Sequence, residues 1–157
     1  MKVASMRLAL VVMVAAGMVA LFTGHASTQD PNLKPTFGSV KLEAGFEPDP
    51  YAKKVIAGGP IETKLGGVKA YVAKEPDFKL EYKAGKFALT IHVESEADTT
   101  LLINLPDGTW VANDDQAEGN LNPLLKFEKP QSGRYDIWVG TFKKDTAPAV
   151  LKITELK

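Results

Sequence analysis

Side chains that could bind calcium are concentrated between residues 98 and 122. Calcium takes about six to eight oxygen ligands from carboxylates, amides and carbonyls on flexible loops. The candidate ligands are Asp98, Asp107, Asn113, Asp114 and Asp115. The segment does not fit an EF-hand, because Leu125 stands where the bidentate Glu would be. The alternative is turn structure alone, which Asn and Asp build through side-chain hydrogen bonds to the backbone. Asp98 could likewise cap a turn.

Trp110 and Trp138 are candidates for a ligand or partner surface. Trp138 falls on the nominally polar side of a strand, beside Gly140 and out of phase with Ile137 and Val139. An exposed ring there would be a stacking platform for a glycan or a partner peptide. The alternative is that this second face is also covered and Trp138 belongs to the core, which is the commoner place for an aromatic side chain.

His92 is the one histidine after residue 25. It alternates with apolar residues of its segment, so we expect it to be solvent-exposed. A single histidine cannot build a histidine-rich zinc site. A catalytic triad needs an ordered histidine with a buried carboxylate behind it, and no nucleophile-elbow motif is present. The sequence therefore predicts a protein without catalytic residues.

The elements that carry these residues show a period of two. Apolar and polar residues alternate clearly over 78–82, 87–93, 135–139 and 149–153, and more weakly over 53–56, 68–73, 100–105 and 124–127. Such alternation indicates strands with one buried face. About eight short strands separated by Gly- and Pro-containing turns, with no amphipathic helix, predict an all-β fold. We expect an antiparallel, jelly-roll-like β-sandwich.

Residues 97–142 resemble the bacterial pre-peptidase C-terminal domain. The matching features are Asp98, Pro106-Asp107-Gly108, Asn113-Asp114-Asp115, Pro130, Gly133, Tyr135 and Val139. The resemblance implies a sandwich found in secreted proteins, often attached to hydrolases, with a binding, targeting or secretion role, sometimes with calcium and without catalysis. A subgroup of small exported proteins of this type often carries a cysteine pair, at whose places Val68 and Ala112 stand here.

The N-terminus has the layout of a signal peptide over residues 1–26. Lys2 and Arg7 precede an uncharged run over 8–22, and small residues allow cleavage after Ala26. The alternative is an uncleaved anchor, although the run is shorter than the roughly 20 residues that span a bilayer. Residues 27–44 are polar and are predicted to be a leader or linker with an edge strand near 37–42. The sandwich would then cover 45–157.

Composition narrows the classes of function. The formal net charge is zero, which argues against nucleic-acid binding, and there is no cysteine for a disulfide or thiolate site. We expect a secreted or periplasmic, non-catalytic binding or accessory module, calcium-stabilised, that contacts a glycan or protein partner and has no membrane span after signal cleavage. The alternative is a hydrolase-associated factor, namely a secreted-protease inhibitor, a chaperone or a remnant accessory domain.

Overall fold

The computed structural model describes residues 28–156, so the predicted signal peptide lies outside the described residues. The described chain contains strands and no helix. In chain order the strands are β1 (Ser39–Glu43), β2 (Tyr51–Gly58), β3 (Ile61–Leu65), β4 (Val68–Val72), β5 (Phe78–Lys83), β6 (Leu89–Glu94), β7 (Thr99–Asn104), β8 (Trp110–Asn113), β9 (Leu124–Phe127), β10 (Gly133–Thr141) and β11 (Thr146–Thr154).

The strands form two sheets, and the prediction of an all-β sandwich is confirmed. The smaller sheet has the order β2-β11-β6-β9 and is antiparallel throughout. In the seven-stranded sheet β10 is central: one edge pairs with β5 and then β4, and the other pairs with β7. β8 adds to β7 and β3 to β4. β1 pairs with β5 in parallel, so the expectation of a purely antiparallel fold is wrong at this one pair.

The described residues contain eleven strands where the sequence predicts about eight. β1 lies in the segment predicted to be a leader, close to the edge strand expected there. β3 and β8 were not predicted. β8 has four residues with no alternation and gives no periodic signal, whereas β3 does alternate but is only five residues long between two glycine-containing turns.

The core lies between the two sheets and confirms the period-two pattern. Each strand in it sends alternate apolar side chains inward, and fully burying one such side chain contributes roughly 1.5–3 kcal/mol. The buried members are Val55, Ala57, Phe78, Leu80, Tyr82, Leu89, Ile91, Val93, Leu101, Ile103, Tyr135, Ile137, Val139, Ala149, Leu151 and Ile153.

The outer face of the seven-stranded sheet is covered in two places. The β3–β4 hairpin reaches β8, where a Cβ on Gly66 would lie 2.7 Å from the Ala112 nitrogen. Under this hairpin a second apolar cluster forms around Trp138. Elsewhere residues 28–36 cover the sheet: Lys79 Nζ donates to the Pro31 carbonyl at 2.8 Å, and Gln29 is buried. Part of the predicted linker is therefore packed on the sandwich.

Candidate functional site

The outward side of the four-stranded sheet, called here the open face, has no such cover among the described residues. It is formed by alternate side chains of β2, β11, β6 and β9. At one end Ile56 is 47% exposed and lies opposite Pro148 in register, with Val150 beside it. These three apolar side chains border a groove of about 620 Å³ together with Lys54 and Glu94. The open face thus presents an apolar strip with charges at its margin.

The other end of the open face carries a second groove, called here the His92 groove. Its volume is about 510 Å³, and it is lined by Pro50, Thr90, His92, Leu124, Lys126, Lys152, Thr154 and Leu156. The strand register explains why these residues meet. Lys152 pairs with His92, which pairs with Leu124, while Thr154 pairs with Thr90, which pairs with Lys126. Three strands therefore contribute hydroxyl, imidazole and ammonium groups to one small area.

His92 is half-buried in this groove, so the expectation that it would be solvent-exposed is wrong. Partial burial is the main cause that lowers the pKa of His92 below its usual 6.5, and Lys152 lowers it further while Glu94 opposes the shift. The imidazole is therefore neutral at pH 7. The period-two pattern correctly assigned His92 to the outer face, but there it lies between Lys152 on β11 and Leu124 on β9, its neighbours in register.

The two lysines of the His92 groove are each paired with a carboxylate at its edge. Lys152 Nζ lies 2.6 Å from Glu94 Oε1, and Lys126 Nζ lies 2.7 Å from Glu128 Oε1. Both pairs are partly exposed, and such pairs contribute about 0–1 kcal/mol to stability. The ammonium groups can therefore be shared with a ligand at small cost.

An acidic groove of about 370 Å³ adjoins the His92 groove across Leu156. It is lined by Gly45, Phe46, Glu47, Asp49, Phe87, Glu155 and Leu156. Glu155 is held in place there: its carboxylate accepts hydrogen bonds from the Tyr82 hydroxyl and from the Gly45 backbone N–H at 2.7 Å. Asp49 Oδ2 in turn accepts from the Glu155 N–H at 3.1 Å. Carboxylates therefore lie on one side of Leu156 and the lysines of the His92 groove on the other.

The predicted calcium ligands are not brought together as one set. Asp107 lies in the turn after β7, whereas Asp98 precedes β7 and Asn113 ends β8. Because β7 has six residues at about 3.3 Å each, these ends are about 20 Å apart. The prediction that Asp107 shares a site with the other four residues is therefore wrong. In the part of the chain that the structure describes, no three His, Cys, Asp or Glu side chains are placed to hold a metal ion.

These polar side chains instead make turn contacts. Asp107 Oδ1 accepts from the Thr109 N–H at 2.9 Å and Oδ2 from Gln131 Nε2 at 2.8 Å, and these bonds lower the pKa of Asp107. Asn113 Oδ1 accepts from the Leu124 N–H at 3.0 Å. Asp114 Oδ1 accepts from the Asp115 N–H at 3.1 Å. Burial, and then the charge of Asp115, raise the pKa of Asp98.

Trp138 is 0% exposed, so the prediction that its ring forms a surface platform is wrong. The β3–β4 hairpin folds over this side of the sheet. Ala70 and Val72 of the hairpin and Leu102 of β7 enclose the ring. Trp110 is partly buried, and its ring centroid lies 5.0 Å from that of Trp138. The two tryptophans therefore pack on each other instead of presenting a flat exposed surface.

Sequence reasoning missed the open face as a candidate site. Ile56, Pro148 and Val150 are apolar residues at positions that the alternation assigns to the outer side. That departure was the available signal. Apolar residues at outer positions could not be interpreted from the sequence, because whether such a position is exposed depends on which other segment of the chain packs on it. The hairpin covers Trp138 in this way and leaves Ile56 exposed.

The comparisons with known proteins identify no family for the chain. No protein-family model matches it, and no curated protein does. Among solved structures it is similar to the crystal structure of Aeromonas hydrophila PliG, a periplasmic lysozyme inhibitor of g-type lysozyme. The identity is 12%, the match covers 74% of this chain and 96% of that chain, and the TM-score is 0.38. A likeness at this level says nothing of a shared ligand. Residues 28–156 contain no helix with the length and hydropathy of a membrane span.

Proposed function

We propose that the protein is a non-catalytic module that binds another protein outside the cytoplasm, with the open face as its contact surface. One observation carries this proposal: within residues 28–156 nothing packs on the outer side of the four-stranded sheet, which is half-apolar, whereas the outer side of the larger sheet is closed by the β3–β4 hairpin and residues 28–36. Protein-binding surfaces combine an apolar centre with a polar rim. Export rests on the predicted signal peptide.

A protein partner fits this surface better than a glycan. Sugar-binding sites use exposed aromatic rings, and the two tryptophans proposed for that role pack on each other under the hairpin. The strip of Ile56, Pro148 and Val150 is instead aliphatic, which suits side chains of a protein.

The module is proposed to be non-catalytic because His92 lacks the partners of a general base. Within residues 28–156 no hydrogen bond orients its imidazole, and Lys152 is its neighbour in register. A triad histidine needs a buried carboxylate that holds its tautomer.

The alternative of a hydrolase-associated factor uses the same surface and differs only in the partner. The resemblance of residues 97–142 to the pre-peptidase C-terminal domain would fit such an accessory role, and it stays a prediction because no family model matches the chain. The identity of the partner separates an inhibitor or chaperone from a general binding module.

The test compares two exposed aliphatic residues of similar exposure. Ile56 on the open face is 47% exposed, and Leu121, which lies in the loop before β9 and on none of the four strands of that face, is 49% exposed. Envelope proteins captured by the purified wild-type protein are identified, and the binding of each purified partner is measured by calorimetry. We expect Ile56→Asp and Val150→Asp to weaken binding by tenfold or more, since interface residues at a contact centre contribute roughly 1–2 kcal/mol or more.

The control variant Leu121→Asp should bind as the wild type does. Equal binding by all variants would show that the open face is not the contact surface. If the partner is a hydrolase, its activity with and without the bound protein decides between inhibition and support.

A further inference from the structure

The His92 groove brings five polar or cationic side chains into a compact grid. The rows are Lys152–His92–Leu124 and Thr154–Thr90–Lys126. With about 5 Å between cross-strand neighbours and about 7 Å between alternate residues of a strand, the grid measures roughly 10 by 7 Å. Two flexible lysines at opposite corners can therefore reach one small anion placed above His92.

The Thr154 hydroxyl group of the grid can donate to a ligand. Thr154 Oγ1 already accepts a hydrogen bond from the Leu156 N–H at 3.0 Å, so its own hydrogen is available to a ligand. Thr90 and Thr154 are both largely buried, which keeps their side chains fixed on the floor of the groove. The apolar residues that line the groove are Pro50, Leu124 and Leu156.

The charges of the groove suit a single negative charge. Glu94 and Glu128 offset Lys152 and Lys126 at the margin, so a protonated His92 leaves one positive charge in excess. Across Leu156 the acidic groove of Glu47, Asp49 and Glu155 repels an anion and confines it to the lysine side. The apolar lining residues Pro50, Leu124 and Leu156 can contact the methylene groups of an acidic side chain.

We propose that the His92 groove binds the carboxylate of an Asp or Glu side chain on the partner protein, held by Lys126, Lys152 and protonated His92. This proposal rests on the proposed function, since it names the chemistry of the partner at the same surface. The charged groups around His92 are Glu94 on its own strand, Lys152 on β11 and Lys126 on β9. A bound carboxylate favours the imidazolium form, so binding tightens as the pH falls below 7.

The test uses Nα-acetyl-glutamate amide as the probe and the full chain expressed with its N-terminal segment. The imidazole proton resonances of His92, assigned with His92→Gln, report its protonation with and without the probe. We expect the probe to shift the amide signals of Thr90, His92 and Lys152 and to raise the pKa of His92. A rise of about 0.5–1 unit corresponds to at most about three- to tenfold tighter binding at low pH than at pH 8, and the full factor is reached only well below the pKa of the free imidazole.

Variants separate binding from its pH dependence. Lys126→Gln and Lys152→Gln should each weaken probe binding about two- to fivefold, and Lys41→Gln on the other sheet should leave it unchanged. His92→Gln should retain binding at pH 8 and lose the pH dependence. An unchanged pKa of His92 at saturating probe would overturn the proposal. Sulfate bound in the groove without binding of the probe would overturn the assignment to a carboxylate.

The two proposals can fail independently. If the probe binds in the groove but Ile56→Asp and Val150→Asp still bind the partner, the proposed function is refuted and the anion site is supported. Loss of partner binding in those variants with no probe binding would remove only the anion site.

Discussion

The buried carboxyl group of Asp77 makes a sharp prediction about stability. Asp77 is 3% exposed and immediately precedes β5. Its Oδ2 accepts a hydrogen bond from the Val139 N–H at 2.7 Å. Val139 lies on β10 between Ile137, the last residue paired with β5, and Thr141, which is paired with β4. The side chain of Asp77 therefore closes a gap in the hydrogen bonding of the central strand.

Burial raises the pKa of Asp77 from 3.8 to about 7; the bond from Val139 opposes the shift and the charge of Glu75 adds to it. The folded protein therefore keeps a proton that the unfolded chain releases above pH 4. This contribution to stability is complete below about pH 4 and is lost as the pH rises to about 7. At 1.36 kcal/mol per unit, the free energy of unfolding should fall by about 4 kcal/mol over this range through Asp77 alone.

The measurement is urea unfolding followed by tryptophan fluorescence from pH 4 to 8, for the wild type and Asp77→Asn. Asparagine cannot ionise, and its carbonyl oxygen can still accept from Val139. As the pH rises, the unfolding free energy of the wild type should fall by about 4 kcal/mol relative to that of Asp77→Asn. Asp107→Asn is the control: because the pKa of Asp107 is lowered below 3.8, its contribution to stability is lost only below about pH 4, so the difference between the wild type and this variant should not change from pH 4 to 8. A difference between wild type and Asp77→Asn that does not change with pH would refute the reasoning.

Two further predictions test the tryptophan pair and the polar loop. Trp138→Ala should lower the free energy of unfolding by about 3–5 kcal/mol, because it empties the cluster under the hairpin. At denaturant concentrations low enough to keep the variant folded, it should bind the partner as the wild type does. Loss of binding by a folded variant would instead support a surface role for Trp138. Calcium binding stays a prediction, tested by the thermal midpoint in excess calcium and in EDTA. Any rise in the thermal midpoint on calcium addition should remain in Asp107→Ala and disappear in Asp114→Ala, since Asp107 lies at the far end of β7. Loss of the rise in Asp107→Ala alone would contradict this geometry.

The inner faces of the strands could be predicted residue by residue. Tyr135, Ile137 and Val139 alternate with their neighbours, and all three are buried in the core. Phe87 was assigned to the same side as Ile91 but is exposed, because β6 begins only at Leu89. Alternation therefore predicts which face a residue occupies once the strand exists, and is less informative at strand ends.

The candidate site could be predicted only in part. His92 was correctly placed on an outer face, while its neighbours Lys126 and Lys152 are 34 and 60 positions further along the chain and reach it only through the strand register. Register between strands distant in sequence depends on how the whole sandwich packs, which local periodicity does not contain.

The sequence by itself determined the all-β class, most of the strands and the apolar residues between the sheets, because a period of two is a local property of the chain. The tertiary structure alone decided which outer face is open. The β3–β4 hairpin and residues 28–36 bury one face, including Trp138, and on the other face Ile56 and Pro148 stay exposed and Val150 partly exposed. Covering a face is a long-range contact, so its outcome depends on where each segment folds back and not on the residues of the face itself.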